Sequence, residues 1–322
     1  MGLERVAVIG AGAWGTALAQ AAAIAGREVT IVGRDPQVID EINTRRSNSA
    51  HLGDQQLSSR IGASSDVPDA DIYVLAVPAQ ASRAALTQHA PALRGKPVVL
   101  TAKGLEHGSL KRQSEILHDI VPDADAFVLS GPSFAVDVAA GRPTAVTLAG
   151  NDAEATSDVA AALAGPTFRL YATDDLLGVE LAGALKNVYA LGCGAVEGAG
   201  LGASARSAMI ARAFAELTRL VVRMGGSAHT LTGLAGLGDL TLSCTSTQSR
   251  NYQTGMALGR GDSIAGIGLA EGVTTAPVAK QLADGLGIDA PLIDAVNLLL
   301  GGRVTINEIV AGLMSRPLKR ED

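Results

Sequence analysis

The N-terminal run Val6-Ala7-Val8-Ile9 passes directly into Gly10-Ala11-Gly12-Ala13-Trp14-Gly15-Thr16 and an alanine-rich stretch over 17–25. Four apolar residues predict a buried strand, the Gly-x-Gly-x-x-Gly pattern a tight turn, and the alanines a helix. Each glycine has a separate task. Gly10 permits the turn, Gly12 lacks a Cβ so that a pyrophosphate can approach its backbone, and Gly15 lets helix and strand pack closely. N–H groups at the helix start then face the phosphates. Three glycines alone are weak evidence; set between a strand and a helix, they mark a dinucleotide-binding unit.

The chain has 322 residues, enough for about two domains. Its formal net charge of -6 argues against a nucleic-acid surface, so an anion site must be a local basic cluster. The first apolar run is the strand itself, so no signal peptide is expected. No uncharged stretch reaches the length of a bilayer span. Five histidines lack metal-ligand spacing, and no metal is expected. Cys193 and Cys244 do not make a disulfide framework, which predicts a cytoplasmic location.

Further strands are expected at 28–32, 71–77, 98–100, 126–130, 144–148 and 167–171. Helices are expected at 36–46, 79–89, 110–120 and 153–164. This alternation predicts a mainly parallel sheet with its ligands at the carboxyl ends of the strands. After about Thr173 strand signals vanish. Helices are expected at 176–196, 203–224, 274–285, 291–300 and 305–313, while 232–249 is rich in Gly, Thr and Ser. The predicted fold is α/β: an N-terminal Rossmann-type doubly wound sheet (residues 1–173) followed by an all-α C-terminal domain (residues 174–322). The active site is expected in the cleft between them.

Several residues then stand out as carriers of chemistry. Arg34 comes after the second strand and Gly33, ahead of Asp35. An acidic residue there would bind ribose hydroxyls, whereas an arginine can pair with a 2′-phosphate, which favours NADP and admits NAD. Lys103, just past a strand, would place its ammonium near the nicotinamide end of a bound dinucleotide. Ser133, in Gly131-Pro132-Ser133, offers a hydroxyl beside backbone N–H groups. Lys186 has Ala182, Gly183, Tyr189 and Ala190 as its helical neighbours, with no acid on that face. Partial burial there would lower its pKa. Asn187 shares a face with Glu180, Gly183 and Gly194 and could give polar support. Asp239 sits in a glycine-rich turn. Ser249-Arg250-Asn251 stacks a hydroxyl, a guanidinium and an amide, a donor set suited to phosphate. Glu271-Gly272 could reach a ribose or an amide.

Taken together these stretches resemble the bacterial NAD(P)-dependent glycerol-3-phosphate dehydrogenases. The matches are Gly10-x-Gly12-x-Trp14-Gly15-Thr16-Ala17, Ala76-Val77-Pro78, Lys103-Gly104, Ser130 to Ala135, Gly183 to Val188, Gly200-Leu201-Gly202, Gly233 to Leu240, Ser249-Arg250-Asn251 and Glu271-Gly272. They run through nearly the whole chain in the family's order. The resemblance implies hydride transfer between NAD(P)H and dihydroxyacetone phosphate, with Lys186 as general acid/base. It implies substrate contacts from Lys103, Gly131, Ser133, Asp239, Ser249, Arg250 and Asn251. Trp14, Arg34, Ala135, Arg250, Leu269 and Glu271 would join Gly10, Gly12, Gly15 and Lys103 around the cofactor, with Ala13 offering only its backbone. A homodimer is compatible with such a fold.

The chain departs from the family pattern at four places. Ala13 replaces a Ser, His51-Leu52-Gly53-Asp54 replaces Tyr-Leu-Pro-Gly, Ser204 replaces an Asn, and Ala211-Arg212-Ala213 replaces Thr-Arg-Gly. Two other readings compete. A two-domain dehydrogenase of hydroxy or sugar acids would have no reason to carry Ser249-Arg250-Asn251. A non-catalytic NADP sensor would not need Lys186, Asp239 and Arg250 together.

Overall fold

A computed structural model describes residues 2–302 and 304–317. Its eight strands are β1 (Arg5–Ile9), β2 (Glu28–Val32), β3 (Ile61–Ser64), β4 (Ile72–Leu75), β5 (Pro97–Leu100), β6 (Asp125–Ser130), β7 (Thr144–Gly150) and β8 (Phe168–Thr173). They form one sheet in the order β3-β2-β1-β4-β5-β6-β7-β8. Every neighbouring pair is parallel except β6 and β7. Chain order reverses between β1 and β4, which makes that edge the switch point where a doubly wound sheet opens a crevice.

The apolar run of β1 is buried on both faces, as helix-covered parallel strands require. Val6 and Val8 enter one core and Ala7 and Ile9 the other, following the two-residue period of a strand. Ile9 pairs with Leu75, so Gly10 and Ala76 leave the sheet side by side. Gly10 has φ +121°, and a Cβ there would strike the Ala76 carbonyl oxygen. A Cβ on Gly15 would strike the Gly10 carbonyl oxygen, whereas one on Gly12 would meet nothing within 4 Å. The helix Ala13–Ile24 starts at Gly12 with no side-chain cap, which leaves its first N–H groups without a side-chain acceptor.

The long helix Leu176–Gly198 is buried continuously from Gly178 to Val196. Its mean hydropathy reaches 1.2 over an 18-residue window, but 94% of that window is inside the protein, as for a core helix. The helices Ala203–Arg223, Arg250–Arg260, Glu271–Gly285 and Pro291–Leu300 pack against it. Its contact with Arg250–Arg260 is backbone to backbone. Cβ atoms on Gly194 and Gly255 would collide with the carbonyls of Tyr252 and Leu191.

The fold class is the expected one, and the differences are local. The first helix begins at Ala13 rather than 17, taking Trp14 into its first turn. The strand expected at 71–77 spans only Ile72–Leu75. The helix expected from 110 starts at Gln113, because Leu110 has φ +61° and turns the chain out of the helix. The Gly/Thr/Ser-rich stretch follows a short helix, Ala228–Leu231, and is itself helical in pieces: a wide turn over Leu234–Gly238, and Asp239–Thr245. Arg250–Arg260 is a further helix beyond those expected. Packing on Leu176–Gly198 stabilises these short segments where local propensity is poor.

Candidate active site

Three parts of the chain converge at the end of the sheet. Lys103 leaves β5 through Thr101, whose backbone N–H and hydroxyl both donate to the Leu75 carbonyl. Lys186 projects from the long helix. Asp239 and Ser243 stand one turn apart on Asp239–Thr245 and present their side chains together. Lys103 Nζ donates to Asp239 Oδ2 at 2.6 Å and to the Gly131 carbonyl at 3.1 Å. Lys186 Nζ donates to Asp239 Oδ1 and, at 2.7 Å, to Ser243 Oγ. Ser130 Oγ lies 3.4 Å from Asp239 Oδ2. One buried carboxylate therefore bridges two ammoniums.

Burial sets the charges of this cluster. The Lys186 side chain is only 8% exposed and that of Lys103 15%. Desolvation, reinforced by the like charge of Lys103 and offset by Asp239, pushes Lys186 down from 10.5 to about 8. Burial alone would raise Asp239; the charges of Lys103 and Lys186 outweigh it and hold the carboxyl below its ordinary range. Asp239 is thus a fixed anion beside a lysine that titrates near neutral pH.

Glycines admit the groups that meet here. A Cβ on Gly183 would come within 2.8 Å of Ser130 Oγ and 3.5 Å of Lys103 Cγ. Gly131 has φ +147°, and a Cβ there would press on Val146 Cα at 2.8 Å. Its carbonyl accepts from both Lys103 Nζ and Ser133 Oγ, the latter at 3.0 Å.

A chain of amides continues from the cluster. Asn187 Nδ2 donates to the Lys103 carbonyl at 2.8 Å, and Asn187 Oδ1 accepts from Asn251 Nδ2 at 2.9 Å. Asn251 Oδ1 accepts from the Gly272 N–H at 2.9 Å. Beside it, Glu271 Oε1 accepts from the Ala79 N–H at 3.0 Å, tying the helical part to the loop after β4.

Lys103, Gly131, Ser133, Lys186 and Asp239 are therefore in one place, with Asn251 joined through Asn187. Ser249 caps its helix, accepting from the Tyr252 N–H at 3.3 Å. Arg250 is exposed at the first position of that helix and makes no ion pair among the described residues. Arg34 is exposed next to Asp35, which caps Pro36–Arg45 through the Gln37 N–H at 2.9 Å. Trp14 and Ala135 are half-buried against the sheet core, and Leu269 is 45% exposed. Ser130 and Ser243 are new to the cluster. The four-residue spacing of Asp239 and Ser243 was the available signal, but it has meaning only once that stretch is known to be helical.

The Gly-x-Gly-x-x-Gly turn fits a dinucleotide: open space at Gly12, forced glycine at Gly10 and Gly15, and an uncapped helix start. Elsewhere, a cavity of about 1160 Å³ is lined by Lys111 and Arg112 but by more carboxylates, Asp125, Asp152, Asp158 and Asp174 among them, and this acidic excess disfavours an anionic ligand.

The chain is similar to known proteins along nearly its whole length. Residues 5–156 match the model for the NAD-dependent glycerol-3-phosphate dehydrogenase N-terminus, and residues 175–311 that for its C-terminus. Glycerol-3-phosphate dehydrogenase [NAD(P)+] of Brucella ovis is 49% identical over 323 residues, 99% of each chain. The Caulobacter vibrioides protein of that name is 48% identical over 330 residues, 100% of each chain. A crystal structure of glycerol-3-phosphate dehydrogenase from Coxiella burnetii has a TM-score of 0.91 at 35% identity, covering 97% of this chain and 99% of that one. On both family models and on full-length similarity, the chain belongs to the NAD-dependent glycerol-3-phosphate dehydrogenase family.

Proposed function

We propose that this chain catalyses reversible hydride transfer between NAD(P)H and dihydroxyacetone phosphate, giving sn-glycerol 3-phosphate, a precursor for glycerophospholipid synthesis. The observation that carries the residue assignment is the buried Lys103–Asp239–Lys186 bridge. Residues 1–173 form the nucleotide-binding domain and 174–322 the substrate-binding domain.

The cofactor, when bound, supplies the hydride. A ketone that receives it develops negative charge on oxygen and needs a proton. An ammonium has three N–H groups. Lys186 gives one to Asp239 and one to Ser243, which leaves a third for the substrate oxygen. Lys103 likewise gives one to Asp239 and one to the Gly131 carbonyl, leaving a third to stabilise the developing oxyanion. Lys186, with its pKa brought to about 8, delivers the proton in reduction and takes it back in oxidation. Asp239 holds both ammoniums in place and keeps Lys186 charged despite its burial.

Gly131, Ser133, Ser249 and Asn251 complete the substrate side, with exposed Arg250 as the phosphate anchor. Gly10, Gly12, Ala13, Trp14, Gly15, Arg34, Lys103, Ala135, Arg250, Leu269 and Glu271 hold the dinucleotide. Preference for NADPH over NADH is supported by exposed Arg34 beside an Asp35 engaged as a helix cap. Free, buried Cys193 and Cys244 support a cytoplasmic location, and a homodimer is compatible with the fold. The test is NADPH oxidation with and without dihydroxyacetone phosphate. Turnover dependent on that substrate supports the reading. Turnover only with 2-keto acids would make the chain a hydroxy-acid dehydrogenase, and binding without turnover a sensor.

A further inference from the structure

Glu180 is buried on the long helix, 4% exposed, and takes no part in the chemistry above. It lies seven residues before Asn187, two helical turns, with Gly183 between them on one face. That face docks against the segment 103–114 at both ends. Asn187 Nδ2 holds the Lys103 carbonyl at 2.8 Å. Glu180 Oε1 accepts from the Ser114 N–H at 2.9 Å, and Oε2 accepts from Ser114 Oγ at 2.6 Å and Arg112 Nη1 at 3.1 Å. Between these anchors, Gln113 Nε2 donates to the Gly104 carbonyl at 2.9 Å and draws the ends of the segment together. Gly183, midway on the face, lets Lys103 Cγ come close. Two side chains, with a glycine between them, thus hold the loop that presents Lys103.

A buried carboxylate–guanidinium pair is a poor source of net stability, since apolar groups of the same volume often do as well. Its effect is to define geometry: Glu180 accepts one backbone and two side-chain donors in a single arrangement. Slippage of the segment against the helix would break all three bonds and carry Lys103 away from Asp239. We propose that Glu180 is a positioning residue for the reaction, setting with Asn187 where Lys103 Nζ meets Asp239. The inference rests on the assignment of Lys103 to the reacting centre.

Glu180→Gln keeps the volume and one oxygen for the Ser114 N–H, but its amide cannot also accept from Ser114 Oγ and Arg112. Misplacement of a catalytic group by a fraction of an ångström costs turnover. The expected result is a fall in kcat of about tenfold, with the NADPH Kd moving no further than it does in Lys103→Met. A double-mutant cycle identifies the route. In a Lys103→Met background Glu180→Gln should cost no further activity; in an Arg250→Ala background it should cost its full tenfold. Ser114→Ala removes only the hydroxyl donor and carries the same cycle if Glu180→Gln does not fold. An impaired Lys103→Met enzyme on which either change is fully additive overturns this inference alone. A Lys103→Met enzyme with wild-type turnover overturns the assignment of Lys103, and this inference with it.

Discussion

Asp239→Asn is the sharpest perturbation of the proposed chemistry, because it keeps the shape of the bridge and removes its charge. In the wild-type cluster Lys186 titrates at about 8 instead of 10.5, a fall worth about 3 kcal/mol against the charged form. Burial and the like charge of Lys103 cause that fall, and Asp239 limits it. Without the carboxylate both penalties remain. Breaking a buried pair by removing one partner costs about 3–5 kcal/mol, and an isolated buried lysine avoids that cost by losing its proton. The Lys186 pKa should therefore drop by at least about 2 pH units further. The sign follows from the role: reduction needs protonated Lys186. Wild-type kcat for reduction should fall as pH rises through about 8. In Asp239→Asn the same limb should move to lower pH by about 2 units, with a loss of about tenfold at neutral pH that is recovered in acid. In the oxidation direction, which needs neutral Lys186, the limb should move the same way and activity should appear at lower pH. The assay is the pH dependence of kcat in both directions under saturating cofactor. A variant with lowered kcat but an unmoved limb would refute the claim that Asp239 maintains the charge on Lys186.

Lys186→Met should lower kcat by at least about 10²-fold, with NADPH affinity and Tm near wild type because the stem still packs. Lys186→Arg should also be poor, since a guanidinium does not release its proton near neutral pH; turnover within a few-fold for Lys186→Met would pass the role to Lys103. Arg250→Ala should raise KM for dihydroxyacetone phosphate and narrow its advantage over dihydroxyacetone; an unchanged ratio would exclude Arg250 as the phosphate anchor. Arg34→Ala should weaken NADPH by about 1.5–3 kcal/mol, roughly tenfold to a hundredfold, and NADH far less, as read by fluorescence titration. Equal losses for both cofactors would count against a pairing with the 2′-phosphate.

The strands, the first turn and the Lys186 helix are legible from sequence because their causes are local. A run such as Val6 to Ile9 has to be covered on both faces wherever it ends up. A turn that needs φ +121° has to contain a residue like Gly10. The small neighbours of Lys186 are set by helical spacing alone. The face shared by Glu180, Gly183 and Asn187 is likewise visible in the sequence, but what it grips is not.

Tertiary structure decided the partners. Asp239 lies 53 residues from Lys186 and 136 from Lys103, separations across which no periodicity connects one side chain to another. The stretch around Asp239 is helical because it packs on Leu176–Gly198; its own Gly, Thr and Ser favour turns. The antiparallel pairing of β6 with β7 also follows from the finished packing. Residue chemistry and short spacings thus determined which groups were available, and burial decided their charges. A lysine in water keeps its proton to about pH 10; the same lysine sealed beside one carboxylate and a second ammonium titrates at about 8. The desolvation responsible exists only once distant segments have closed over the side chain.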